Sequence, residues 1–149
     1  MRNTGKKQGR ATCPPFSNKP EKEGTKLNDK PFRWKFSQCF WEHKGWKSVT
    51  TIQDFHDRII AKLKDFESMV WQEILDASGG KSKGNGNNHH FIMGNKLPKE
   101  EGRAFIEKGY MERYEKVFSL RLSGRERLIG IVDGGMFCVL WFDPDHVFF

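Results

Sequence analysis

Cysteine is scarce in this 149-residue chain: Cys13, Cys39 and Cys138 stand far apart and are odd in number. Neither a disulfide framework nor a Cys-x-x-Cys metal site follows from them. Long apolar runs are also missing, and the one that closes at Phe142 falls far short of the roughly 18 residues a membrane helix requires. No basic-then-apolar segment opens the sequence, so no secretory signal is expected. The hydrophobic fraction is 36%, a lean supply for a core, but thirteen Phe and five Trp compensate because each ring buries a large area. These shortages predict a reduced, cytoplasmic protein with no membrane partner and a single compact domain.

The positive charge is unevenly placed. The chain carries a net +7, yet residues 1–31 hold eight Lys or Arg against Glu21, Glu23 and Asp29. That leaves only +2 for residues 32–149. With Pro14-Pro15, Pro20 and almost no apolar residue, 1–31 is expected to be a disordered basic tail, and 32–149 the folded domain. Such a tail either adds sequence-independent attraction to anions or merely solubilises the domain.

Within 32–149, Phe32, Trp34, Phe36, Gln38 and Phe40 alternate with polar residues, the period of a half-buried strand. Thr50 or Thr51 can cap a helix with Phe55, Ile59, Ile60, Leu63 and Phe66 on one stripe; Asp54, Asp57, Arg58, Lys62, Lys64 and Asp65 form its outer face. Ser68 can cap a second helix carrying Trp71, Ile74 and Leu75 inward. The Gly-, Ser- and Asn-rich stretch Ser78 to Asn88 reads as a surface loop leading to His89-His90 and a short extended piece, Phe91-Ile92-Met93. Pro98 to Gly109 fits a short helix. A meander follows: Val117 to Ser123, Arg127 to Val132, an Asp133-Gly134-Gly135 hairpin signal, and Met136 to Phe142, apolar on both faces and so expected inside a sheet. Pro144 ends it. The order β-α-α-β-β-β predicts an α+β domain with two helices packed on one face of a twisted antiparallel sheet. The other face is expected to be concave and partly open, with Arg121 pointing into it.

The polar residues able to do chemistry are few. Arg121, Arg125 and Arg127 come from two adjacent strands and their turn; His146 follows the last strand beside Asp143 and Asp145; His89 and His90 end the loop. Arginines pair bidentately with phosphate and stabilise a pentacoordinate transition state, while histidine is the usual acid or base near neutrality. Together they suit RNA cleavage without a metal, in which the 2′-hydroxyl attacks its own phosphodiester. Each residue also has a plainer use. Arg127 can pair with Glu126, Asp133 or Asp143, Arg125 can be a solvated turn charge, and His146 can cap the sheet end through Asp143. His43 and His56 are assigned to structure or solvent, and the aromatic strand at Phe32 to the core rather than to base stacking. His89, His90, His146 and Cys138 lack the short paired spacing of a zinc site, and no Walker or dinucleotide loop occurs. Neither metal nor cofactor is expected.

The stretch from Phe118 to His146, with Arg121 in the first meander strand, Arg127 in the second, an Asp133-Gly134-Gly135 hairpin and a terminal His146, resembles the C-terminal half of the RelE/ParE superfamily of bacterial toxins. His146 falls near the terminal histidine of the YoeB-like members. The Leu122-Ser123-Gly124 and Trp141-x-Asp143-Pro144-x-His146 elements are also similar to a group of hypothetical proteins at the edge of that superfamily. The resemblance implies a RelE-like fold, a toxin–antitoxin system with a cognate antitoxin, and endoribonuclease cleavage of mRNA, often ribosome-bound. It assigns Arg121 and Arg127 to the scissile phosphate and His146 to acid–base work; the residues themselves offer His90 as an alternative acid or base, and His89, Arg125 and Asp143 as candidates for substrate binding. The alternative it carries is a ParE-like inhibitor that cleaves nothing and grips a replication or transcription protein, through an exposed sheet or Val147-Phe148-Phe149.

Overall fold

The computed structural model describes residues 26–77 and 89–149. The expected basic tail up to residue 25 and the expected loop 78–88 lie outside them. The folded part already includes the six residues ahead of Phe32. Leu27–Asp29 form a 3-10 turn against the second helix, where Lys30 O accepts from Trp71 N at 3.0 Å.

The sheet has five strands: β1 Arg33–Lys35, β2 His89–Met93, β3 Lys116–Ser123, β4 Glu126–Asp133 and β5 Met136–Asp143. Their spatial order is β1-β5-β4-β3-β2. The sheet is mixed rather than antiparallel, because β1 runs parallel to β5 with Trp34 opposite Phe137. The fifth strand is the extended piece after the loop, which pairs antiparallel along β3. The first strand is much shorter than its alternation suggested. The chain turns after Phe36, whose carbonyl accepts from Cys39 N at 3.0 Å, and Phe40 passes to the opposite side to stack on Trp141 at 5.2 Å.

Helix α1 comprises Ile52–Phe55, a π turn His56–Ile60, and Ala61–Phe66. Thr51 caps it by accepting from Asp54 N at 2.9 Å. Ile59 and Leu63, four residues apart, are fully buried, as that stripe predicts. Asp54 and Arg58 are not solvated as expected. Arg58 reaches inward to Asp54, to Ser48 O and to Glu126 at 2.8–3.0 Å. Helix α2, Trp71–Asp76, is capped at Val70, two residues beyond the expected Ser68. There the Glu73 carboxylate accepts from Val70 N at 2.9 Å, and Ser68 instead donates back to Asp65 O. The Trp71 indole donates to Gly135 O at 2.8 Å and so ties α2 to the last hairpin.

Helices cover both sheet faces, not one. Phe118, Leu120, Leu128, Phe137, Val139 and Phe142 meet α1 and α2. Val117, Ile129, Ile131, Cys138, Leu140 and Trp141 meet Leu97 and Phe105, the latter from helix α3 (Lys99–Glu107), together with the C-terminal Phe148. A short helix α4, Tyr110–Arg113, follows α3 past Gly109, which takes a left-handed φ of 77°. The expected open face is therefore largely occupied. β5 offers an apolar surface to both sides, and leaving one side bare would expose Trp141, Leu140 and Cys138 to water. No described helix is long and apolar enough to cross a membrane.

At Gly134 and Gly135 the φ values are 62° and 91°, the paired left-handed geometry of a tight hairpin turn. Gly130 serves a different need. It sits where the β4–β5 register shifts, and a β-carbon there would lie 2.0 Å from the Cys138 carbonyl oxygen. We expect Gly130→Ala to cost about 1–3 kcal/mol of stability, since backbone must move to admit the methyl group. Urea unfolding should show a lower midpoint with an unchanged slope, and an unchanged midpoint would contradict the close approach.

Candidate functional site

Three adjacent strands bring polar side chains into one row. Arg121 on β3 is directly opposite Arg127 on β4, and Arg127 is directly opposite Asp143 on β5. Cross-strand partners point to the same side of a sheet, so the three share the face that carries Ile129 and Trp141 further along. His90 on β2 is opposite Ser119, two residues from Arg121, and therefore joins that face. His146 arrives from the turn after β5. It is exposed, and it is close enough to His90 for its charge to bear on that ring. The row thus gathers Arg121, Arg127, Asp143, His90 and His146, with His90 and His146 56 positions apart in sequence, and Arg127 and Asp143 in it are buried.

Arg127 dominates the electrostatics. It is only 6% exposed, and its Nη1 donates to Gly124 O at 2.8 Å and Glu126 O at 3.2 Å. Its buried Nε has no partner. Burial, followed by the neighbouring Arg121, lowers its pKa, and Asp143 offsets part of this. Two like charges directly opposite on adjacent strands destabilise a sheet unless something negative lies between them. Neither Glu126 nor Asp143, the carboxylates beside Arg127, is joined to it by an ion pair among the described residues, and Asp133 lies at the far end of β4. Glu126 is held by Arg58 at 2.8 Å, and Asp133 accepts from the Tyr114 hydroxyl at 2.6 Å with Arg113 at 3.6 Å. Asp143 is fully buried, and its two oxygens accept from Val147 N at 3.0 Å and Phe148 N at 2.9 Å. Arg127 therefore keeps its positive charge in a confined place, with hydrogen-bonding capacity unspent.

His90 is half-buried, and its Nδ1 is enclosed without a partner. Burial, Arg127 and His146 all lower its pKa, so the ring is held neutral. His146 has a φ of 59°, the left-handed region that a non-glycine residue enters only when its surroundings hold it there. The surroundings are the Asp143 carboxylate on one side and Phe148, buried against Trp141 at a ring separation of 5.6 Å, on the other.

Two of the candidate residues lie away from the row. Arg125 is exposed in the β3–β4 turn beside Gly124. His89 points to the opposite face, edge-on to Phe66 at 5.3 Å, where its Nδ1 accepts from Arg121 N at 3.1 Å. It fixes the β2–β3 pairing beside the row. Sequence reading also left unmarked the His43–Glu101 pair, in which Nε2 lies 2.6 Å from the carboxylate while Nδ1 accepts from Gly45 N. Fifty-eight residues separate the two, and no local pattern joins them. Similarly, His56 has an acidic neighbour after all, Asp57 at 3.0 Å, on the exposed side of α1. Among the described residues no three His, Cys, Asp or Glu side chains stand together as a metal ion would require. No family model matches the chain, and neither do the curated proteins or the solved structures compared with it.

Burial of His89, with the charges of Arg121, Arg127 and His90, pushes its pKa down to about 4. A histidine depressed in the folded state contributes stability that is complete above its unfolded value, near 6.5, and is lost as pH falls toward 4. The loss amounts to roughly 3 kcal/mol over that interval. Unfolding followed from pH 7.5 to 4.5 should show this slope, and His89→Gln, less stable at neutral pH, should show a shallower one. Equal slopes in the two proteins would remove His89 from the acid response.

Proposed function

We propose that this chain is a toxin-like endoribonuclease with a RelE-like fold, cleaving RNA at the row formed by Arg121, Arg127, His90 and His146. The observation that carries the reading is Arg127: a buried cation with an unpartnered Nε, directly opposite a second arginine, while the two nearby carboxylates, Glu126 and Asp143, are engaged elsewhere. A phosphodiester supplies the missing negative charge and the acceptor oxygens. His90, neutral because it is buried among cations, is the base. It takes the proton of the 2′-hydroxyl while O2′ bonds to phosphorus. The bond from phosphorus to the departing 5′-oxygen then breaks, and that oxygen takes a proton from His146. The products are a 2′,3′-cyclic phosphate and a 5′-hydroxyl end. The arginine pair faces the charge that develops on the non-bridging oxygens. The resemblance to the RelE/ParE toxins supports the order of elements around the meander, and it brings mRNA on the ribosome as substrate and an antitoxin as partner.

A second reading keeps the fold and drops the chemistry. Val147 and Phe149 remain 66% and 38% exposed beside the row, an apolar end that suits a ParE-like grip on another protein.

Purified protein with single-stranded RNA in the presence of a chelator separates the two. The nuclease reading expects cleavage that falls about 100-fold or more in His90→Ala, His146→Ala and Arg127→Ala. The acid limb of kcat/KM should lie below pH 6.5, because the free-protein value of His90 is lowered. It should vanish in His90→Ala. Growth arrest on expression with intact mRNA, and no cleavage on added ribosomes, would overturn the nuclease reading in favour of the inhibitor.

A further inference from the structure

Asp143 is marked by the sequence as a candidate for substrate binding, yet its geometry gives it other work. Both carboxylate oxygens are spent on backbone N–H groups of the same chain, four and five residues ahead. The side chain is 1% exposed, so a substrate has no route to it without first opening the C-terminal turn. A buried carboxylate directly across from a buried arginine would ordinarily pair with it, and here it does not. The two backbone N–H groups hold it instead. The turn that they close contains Pro144, Asp145 and the left-handed His146, and it ends at Phe148, which packs against Trp141 and His43 at 5.6 and 5.7 Å. His43 is itself fixed by Gly45 N and Glu101.

We propose that Asp143 is a positioning residue: its carboxylate clasps the C-terminal turn, and the clasp both presents His146 to His90 and withholds the carboxylate from Arg127. This rests on the nuclease reading for its consequence, but the arrangement itself is independent of any reaction. The groups around His90 are Ser119 and Arg121 on β3, Arg127 on β4 and His146 from the turn. Of these, only His146 sits on a segment whose position depends on the clasp. Loosening the turn therefore moves one charge of the set and leaves the strand-borne ones in place. It also frees Asp143 to turn toward Arg127 and cancel the charge that the phosphate needs.

The test uses the full chain and two variants that loosen the turn from opposite ends. Asp143→Asn removes one of the two acceptors and the charge; Phe148→Ala removes the anchor and leaves the carboxylate untouched. The first readout is the NMR titration of the His90 ring without RNA, in wild type and after His146→Ala. In wild type, His146→Ala should raise the His90 pKa, and in either loosened background it should leave it unchanged. The second readout is RNA cleavage. Phe148→Ala should lower kcat at least tenfold with KM changing less, and adding His146→Ala to it should cost little more. If His146→Ala still shifts His90 in Phe148→Ala protein, the clasp does not position His146 and the proposal falls. It also falls if Asp143→Asn abolishes cleavage while folded Phe148→Ala cleaves normally, because Asp143 would then act directly. If the wild type cleaves nothing, the nuclease reading fails alone, and the His90 titration still decides the clasp.

Discussion

Strand β5 is buried along almost its whole length on both sides, and that obliges the chain to provide two layers of cover. Phe137, Val139 and Phe142 require α1 and α2 on one side; Cys138, Leu140 and Trp141 require α3 and Phe148 on the other. Apolar burial of this extent is the main stabilising term available to a domain with so few aliphatic residues. It also fixes where polar chemistry can occur. Once Phe105, Leu97 and Phe148 have settled over the middle of the second face, charged side chains fall at its two ends, Asp133 with Arg113 at one and Arg121, Arg127 and His90 at the other. The row is thus a boundary effect of the second core: apolar residues of β3, β4 and β5 give way to polar ones where the cover stops.

At that boundary the arrangement of carboxylates matters more than the count of cations. A guanidinium with 6% exposure would normally be stabilised by a nearby acid, and two stand close, Glu126 in sequence and Asp143 in register. Each has a better-defined partner. Arg58, in the π turn of α1, takes Glu126 and also lies over the Phe142 ring at 5.2 Å, so the same contact that packs the first core keeps Glu126 occupied. The C-terminal backbone takes Asp143. The buried Nε of Arg127 is consequently left without an acceptor among the described residues. In the proposed function, this is the position that an anion from outside completes.

The hairpins and helices were largely legible in the sequence because their signals are local. The paired glycines after Asp133, the Thr51 cap and the Ile59–Leu63 stripe all fall where they were expected. What stayed hidden depends on contacts between distant segments. Nothing in Phe32 to Phe40 announces that the chain turns after Phe36, since Phe40 keeps the alternation while crossing to stack on Trp141. The parallel pairing of β1 with β5 joins residues a hundred positions apart. The covered second face was missed because the short helix at Pro98 to Gly109 was recognised but not given a place to dock, although β5 had no polar side to spare. Candidate site residues were found by type. The separation of His90 from its neighbour His89 was not, because strand alternation sends them to opposite faces only once the loop is known to end in a strand.

That alternation also decides the division of labour between the histidines in the proposed reaction. A buried ring among cations resists protonation, so His90 is ready to accept a proton but poor at carrying one to a leaving group. His146 stands in solvent, where a proton lost to the leaving oxygen is readily replaced. Exchanging the roles would require the exposed ring to work beside the unpartnered Nε of Arg127, from a turn held only by Asp143 and Phe148. The base belongs on the rigid element, because its distance to the 2′-hydroxyl must match that of the arginines to the phosphate, and the paired strands β2, β3 and β4 hold His90, Arg121 and Arg127 in register. The acid meets an oxygen that moves away as its bond breaks. A turn pinned at two points accommodates that displacement better than a strand would.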